Sequence, residues 1–212
     1  MKLTIFGATG GIGRQMVSQA VHAGHDVTAV VRDPARLDVT HPALRVLTVP
    51  GLTDPDLLLP ALHGSDAVLS GVGPRGRRDG PVASTATRGI LLAMACGDVR
   101  RFVAVSAVPV GPVPAGESFV NRRMLLPFVR TVLKDLYADL AVMEEAVAGS
   151  GTDWTVVRPP RLVNRPLSER YRTAVDDNVA RGYTISRADV AHAMLAALGD
   201  PATVRRFVGI AY

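Results

Sequence analysis

A doubly wound α/β domain with a parallel central sheet is predicted for this 212-residue chain by three observations. Short apolar runs alternate with segments of helical period along the whole length. Those runs are apolar nearly throughout, the pattern of strands covered by helices on both faces. The first run feeds a glycine-rich turn, "GATGGIG", which opens an amphipathic segment.

Taken in order, "KLTIF" is the first strand. "IGRQMVSQAVHAG" is a helix with Ile12, Met16, Val17 and Ala20 on one face and Gly24 just past its end. "DVTAVVR", "LRVLTV" and "DAVLSGV" are strands two to four. Between the last two, "DPDLLLPALHG" reads as a short helix with an acidic start. "STATRGILLAMACG" is a helix, "RFVAVSAV" a fifth strand and "DWTVVRP" a sixth. The order βαβαβ, repeated, gives the doubly wound sheet.

Two stretches break this rhythm. "PVGPVPAGES" is a Pro/Gly-rich loop, and the run "FVNRRMLLPFVRTVLKDLYADLAVMEEAVAGSG" follows it. Its second half is a helix, whereas Pro127 interrupts the first half, which reads as a separate helical turn or a lid. The tail holds an extended piece, "YRTAV", then a helix, "SRADVAHAMLAALGD", then a last strand, "RRFVGI". Ser186 is the expected N-cap of that helix, with Asp189 three residues on. Residues 1–212 are read as one domain, of which 158–212 form a substrate-side cap.

Composition narrows the function. Hydrophobic residues make up 48% of the chain, which excludes disorder. No apolar stretch is long enough for a bilayer, and "LTIF" is too short for a signal-peptide core. The expectation is a soluble, cytoplasmic protein with no membrane partner. The net charge of +5 is dispersed and aromatics are only 5%, so no nucleic-acid partner is expected. Arginines that meet a phosphorylated cofactor explain the charge better. Cys96 is the single cysteine, which excludes an internal disulfide and a zinc cluster. It is expected as a small buried hydrophobe. His22, His25, His41, His63 and His192 form no ligand cluster, and no metal is expected.

The glycine turn has specific reasons for its glycines. Gly7 allows the tight turn, Gly10 lets the backbone approach a pyrophosphate, and Gly13 lets the helix pack on the strand. The N–H groups and dipole at the helix start then hold the phosphates. The end of the second strand selects the cofactor. In "VVRDP", Arg32 stands where an acidic residue would bind the ribose hydroxyls of NAD, with Asp33 next. Arg32 suits a ribose 2′-phosphate, with Arg36 a helical turn later. NADP(H) is favoured over NAD(H).

"GATGGIG", "VVRDPARL", "GSDAVLSGVG", "RFVAVSA", "GTDWTVVRPPRL" and "ISRADVAHAML" together resemble the atypical short-chain dehydrogenases/reductases. The likeness is to their NAD(P)H-binding, NmrA-like subgroup, which includes biliverdin-IXβ reductase/flavin reductase. It covers essentially the whole chain and implies a Rossmann-like fold. It also implies site roles. Gly7, Thr9, Gly10, Gly11, Ile12 and Gly13 would cradle the pyrophosphate and Arg32 the 2′-phosphate. Leu52 would lie near the adenine, although Gly51 replaces the acidic residue often found before it. Gly71, Val72, Gly73 and Arg75 would lie along the cofactor. Ser106 and Ala107 would face the nicotinamide, and Pro159, Pro160, Arg161 and Leu162 would flank it and the substrate mouth.

The chain departs from the superfamily where protons move. Most members use a Tyr with a Lys four residues later, which lowers the phenol pKa. Here Tyr137, Tyr171 and Tyr183 are followed at that distance by Ala141, Val175 and Arg187. Lys134 precedes Tyr137, in the wrong order. A His that follows the Pro-Pro pair in the biliverdin/flavin reductases is replaced by Arg161, a poor proton donor. Ser106 and Arg161 are therefore the candidate catalytic residues. The expectation is an NADPH-dependent reductase delivering hydride to a small conjugated acceptor, such as a flavin or quinone. The alternatives are a non-catalytic NADP(H)-sensing regulator with a protein partner and, ranked lower, a sugar-nucleotide epimerase or dehydratase.

Overall fold

The computed structural model describes residues 1–74, 79–119 and 121–212. Strand β1 (Lys2–Phe6) shows how the sequence makes two cores at once. Alternate side chains leave a strand on opposite faces. Leu3 and Ile5 point to one face, where they pack with Met16 and Val17 of helix α1 (Gly11–His22) and Met194 of helix α6 (Arg187–Ala196). Phe6 points to the other, against Leu62 of α2 (Leu59–Leu62) and Ile90 of α3 (Val82–Cys96). Each such fully buried side chain stabilises the fold by roughly 1.5–3 kcal/mol.

The remaining strands are β2 (Asp26–Val31), β3 (Leu44–Thr48), β4 (Ala67–Ser70), β5 (Arg101–Val105), β6 (Asp153–Arg158), β7 (Arg161–Val163), β8 (Arg172–Val175), β9 (Thr184–Ser186) and β10 (Arg206–Ala211). Among the described residues, eight of the ten strands form the main sheet, in the order β3-β2-β1-β4-β5-β6-β10-β8. Every pairing in it is parallel except β10 with β8. Strand β1 pairs in parallel with both β2 and β4, so the order in which strands are added across the sheet reverses there. A doubly wound sheet opens its ligand crevice at that switch point, beyond the carboxyl ends of the strands.

The tail does more than cap the domain. Strands β10 and β8 continue the main sheet, with "YRTAV" supplying the antiparallel edge. Strands β7 and β9 form a separate two-stranded parallel sheet. Ser186 caps α6 as predicted, accepting from Asp189 N at 2.9 Å.

Two local expectations change, and the interrupted run resolves into the separate helical piece, one of its two readings. The helix expected over 54–64 contracts to the single turn of α2. In the interrupted run, a π-helical turn (Asn121–Leu125) leads into α4 (Leu126–Val132), and α5 (Lys134–Ala148) follows a break at Leu133. Pro127 is the second residue of α4, directly after the π-helical turn. Cys96 is exposed, not buried. It is the last residue of α3, turned away from the face on which Ile90, Ala93 and Met94 meet the sheet.

Two buried contacts fix α5. Pro81, before α3, offers no side chain to cap the helix. Asp139 of α5 does this across space, accepting from Ala83 N at 2.8 Å and Ser84 N at 3.0 Å. An anion at a helix N-terminus is favoured by both the free N–H groups and the dipole. One turn on, Glu144 holds Arg158 of β6 through two hydrogen bonds of 2.9 and 2.6 Å. The Arg158 guanidinium also lies over the Phe207 ring, 3.9 Å from its centre.

Candidate dinucleotide-binding site

The turn after β1 is defined by backbone packing. Gly7 has φ +73, a left-handed conformation that disfavours other residues, and a Cβ there would lie 2.7 Å from Gly71 C. A Cβ on Gly13 would fall 2.0 Å from Gly7 O. Gly13 therefore lets α1 start directly against the strand end, as the sequence implied, and does not itself line the cavity. Gly10 flanks α1 with extended dihedrals, and its N–H donates to Gly7 O at 2.9 Å. No side chain caps α1.

A cavity of about 880 Å³ opens from this turn. Its floor is Gly7, Thr9, Gly10, Gly11 and Ile12. One wall carries Arg32, Arg36, Gly51 and Leu52, and the facing one Gly71, Val72, Gly73 and residues of α3. Leu162 and Arg187 close it from the tail. The structure thus gathers twelve predicted residues, eleven from the ends of β1 to β4, Arg36 among them, and Leu162 from β7. Arg75 lies outside the described residues.

Charge around the cavity is one-sided at the β2 end. Arg32 and Arg36 both line it. Asp33 does not; its carboxylate accepts from Ala35 N at 3.1 Å and caps the short 3₁₀ turn Pro34–Arg36. Arg14 is tied back by Asp38 at 3.3 Å and by Thr9 O.

Ser106, Ala107, Pro159, Pro160 and Arg161 lie at the neighbouring ends of β5 and β6, outside these walls. Ser106 N donates to Val157 O at 2.8 Å and Val108 N to Pro159 O at 3.0 Å, so the two strand ends run on side by side. Ser106 is 7% exposed and its Oγ has no hydrogen-bond partner. A buried hydroxyl without a partner is costly, and a bound group that meets it removes that cost. Pro159 is buried, Ala107 and Pro160 are half-buried, and Arg161, which begins β7, is exposed.

None of the four tyrosines is placed as a Lys-assisted acid. Tyr137 is half-buried in the α5 packing, and burial raises its pKa. Tyr171 is pushed up to about 12 by burial and by Asp189 and Glu169, and its hydroxyl meets His192 Nδ1 at 2.7 Å. Tyr183 donates to Glu117 and Ser118, and Tyr212 donates to Asp189. Among the described residues no group of three or more His, Cys, Asp or Glu is arranged to hold a metal. No helix among them is long and apolar enough to cross a membrane.

Three contributors escaped the sequence reading. Asp139 anchors the start of α3, Gly89 lets α3 approach the Leu52 loop, and Arg187 stands over Gly11. None lies in a recognisable motif of the turn, and only packing brings them there.

Fold and cavity define a Rossmann-like dinucleotide-binding protein. The chain belongs to the NAD(P)H-binding family, whose model matches residues 7–201. It is 27% identical over 220 residues to an uncharacterized sugar epimerase of Bacillus subtilis, covering 97% of this chain and 92% of that one. It is 31% identical over 167 residues to the (4-alkanoyl-5-oxo-2,5-dihydrofuran-3-yl)methyl phosphate reductase of Streptomyces griseus. That match covers 78% of this chain and half of the relative. A short-chain dehydrogenase/reductase of Veillonella parvula in complex with NADP shares the fold, with TM-score 0.82 and 19% identity over all of this chain and 94% of that one.

Proposed function

We propose that this protein is an NADPH-dependent reductase of small conjugated acceptors. The observation that carries the cofactor choice is the pair Arg32 and Arg36 on the cavity wall, which Asp33 does not line. Two guanidinium groups suit a ribose 2′-phosphate.

The glycine turn fits a dinucleotide, since Gly7, Gly10 and Gly11 line the cavity with backbone alone. Gly11 and Ile12 would present backbone N–H groups to the diphosphate, Arg32 and Arg36 would hold the 2′-phosphate, and Leu52 would lie against the adenine. The nicotinamide, when bound, supplies the hydride. Ser106 Oγ holds its proton at an acceptor carbonyl or at the carboxamide. Arg161 keeps an anionic charge near the mouth. No phenol–lysine pair stands by to deliver a proton, which suits acceptors whose reduced form is a delocalised anion that solvent protonates. The Streptomyces relative is named for a dihydrofuranone with a ring double bond conjugated to carbonyls, an acceptor of that kind.

Titration with NADPH and NADH, then an acceptor screen with FMN, quinones and an unsaturated lactone, tests this reading. NADPH should bind more tightly and be oxidised by at least one acceptor. Arg32→Ala should weaken NADPH about 10-fold or more and leave NADH nearly unchanged. Equal loss for both would overturn the 2′-phosphate assignment. Tight NADPH binding without turnover across the panel would favour a redox-sensing regulator instead.

A further inference from the structure

Arg187 opens α6, the helix that packs on α1, and its arm crosses the glycine turn. A Cβ built on Gly11 would lie 2.6 Å from Arg187 Cδ and 2.8 Å from Nε. The stem therefore rests directly on the backbone of the first residue of α1. Beyond it, the guanidinium donates to Asn164 Oδ1 at 2.7 Å. Among the described residues no carboxylate pairs with it, so its charge is held in place by a neutral amide and left uncompensated. Arg14, the other arginine beside the turn, differs in this respect, because Asp38 neutralises it.

Three consequences follow from that geometry. A guanidinium over the start of α1 adds its charge to the positive end of the helix dipole, where an anion is already favoured. Its planar set of donors suits the oxygens of a diphosphate better than a single hydroxyl. Residue 11 must be glycine for Arg187 to lie there, since any side chain would occupy the space of its stem.

We infer that Arg187, positioned by Asn164, is the cation that clamps the cofactor diphosphate onto the glycine turn. The inference rests on the dinucleotide reading of this cavity and adds a residue from the far end of the sequence to it. Arg187 acts on the diphosphate, which NADPH and NADH share. Arg32 acts on the 2′-phosphate, which only NADPH carries. Asn164 touches no ligand and works through Arg187.

Binding of NADPH, NADH and adenosine 2′-phosphate to wild type, Arg187→Met, Arg187→Lys and Asn164→Ala tests this. Adenosine 2′-phosphate carries the adenine and the 2′-phosphate but no diphosphate. Arg187→Met should weaken NADPH and NADH alike, by about 10- to 100-fold, and leave adenosine 2′-phosphate within about 2-fold. Arg187→Lys should recover part of the loss, because a point charge replaces the planar donors. Asn164→Ala should give a smaller loss with the same ligand pattern. Unchanged NADPH and NADH affinity in Arg187→Met would overturn the inference. So would a parallel loss of adenosine 2′-phosphate, which would mean that the variant had disturbed the whole cavity. Wild-type protein that binds none of the three ligands would instead overturn the dinucleotide reading itself.

Discussion

Gly89 of α3 and Leu52 of the loop after β3 meet backbone to backbone: a Cβ on Gly89 would lie 2.1 Å from Leu52 O and 3.1 Å from Thr53 Cα. Both partners are main chain, so neither can rotate away. The close approach sets the height of the Leu52 wall over the cavity. Gly89→Ala should therefore cost about 1–3 kcal/mol, like other overpacked sites. It should also weaken NADPH binding several-fold. Urea unfolding and a binding titration read the two effects. Gly199→Ala, where nothing lies within 4 Å of the added Cβ, should stay within about 0.5 kcal/mol of wild type.

The buried pair Glu144–Arg158 ties α5 to β6, with side chains only 7% exposed on each partner. Glu144→Ala leaves the guanidinium buried without its counter-ion. The expected loss is about 3–5 kcal/mol in urea unfolding. Replacing both partners by apolar residues of similar volume should restore much of it, since no charge is then stranded. If the single and double variants unfold alike, the pair has no coupled role.

Asp189 gives the fold a defined acid limit. Burial alone would raise its pKa, but hydrogen bonds from Tyr212, Ser168 N, Ser186 and Glu169 N outweigh it and hold the carboxyl at about 2. The native value lies below the ordinary 3.8, so the folded state favours the carboxylate. The stability it contributes is complete above about pH 4 and is lost as pH falls from there through 2. Asp189→Asn should lower stability by about 2–3 kcal/mol at neutral pH and flatten the acid slope in that window. Thermal unfolding at pH 7, 4 and 2.5 checks both.

Ser106 has a buried Oγ with no partner, which sets it apart from a hydroxyl that merely completes a strand. On the proposed reading, Ser106→Ala should lower kcat about 10-fold with the favoured acceptor and leave KM for NADPH nearly unchanged. An unchanged kcat would leave Ser106 with no part in the reaction.

The amino-acid sequence by itself determined the fold class, the order of the first six strands and the glycine turn. Those features are local. A strand's apolar run, a helix's period and the glycines of a tight turn are set by neighbours in the chain. The same holds for the Ser186 cap, which reaches only three residues. Cys96 was misplaced because an apolar segment does not say which of its residues faces outward at the helix end. The fate of the tail was decided by the tertiary structure, since β10 joins the sheet only once β6 is there to receive it, and β8 takes the edge beyond it. The supports of the cavity were decided there too. Asp139 caps a helix it does not belong to, Gly89 matters because Leu52 lies against it, and Arg187 reaches Gly11 because α6 packs on α1. Contacts between residues far apart in the chain leave no pattern in it, and only the packed sheet and its helices bring them together.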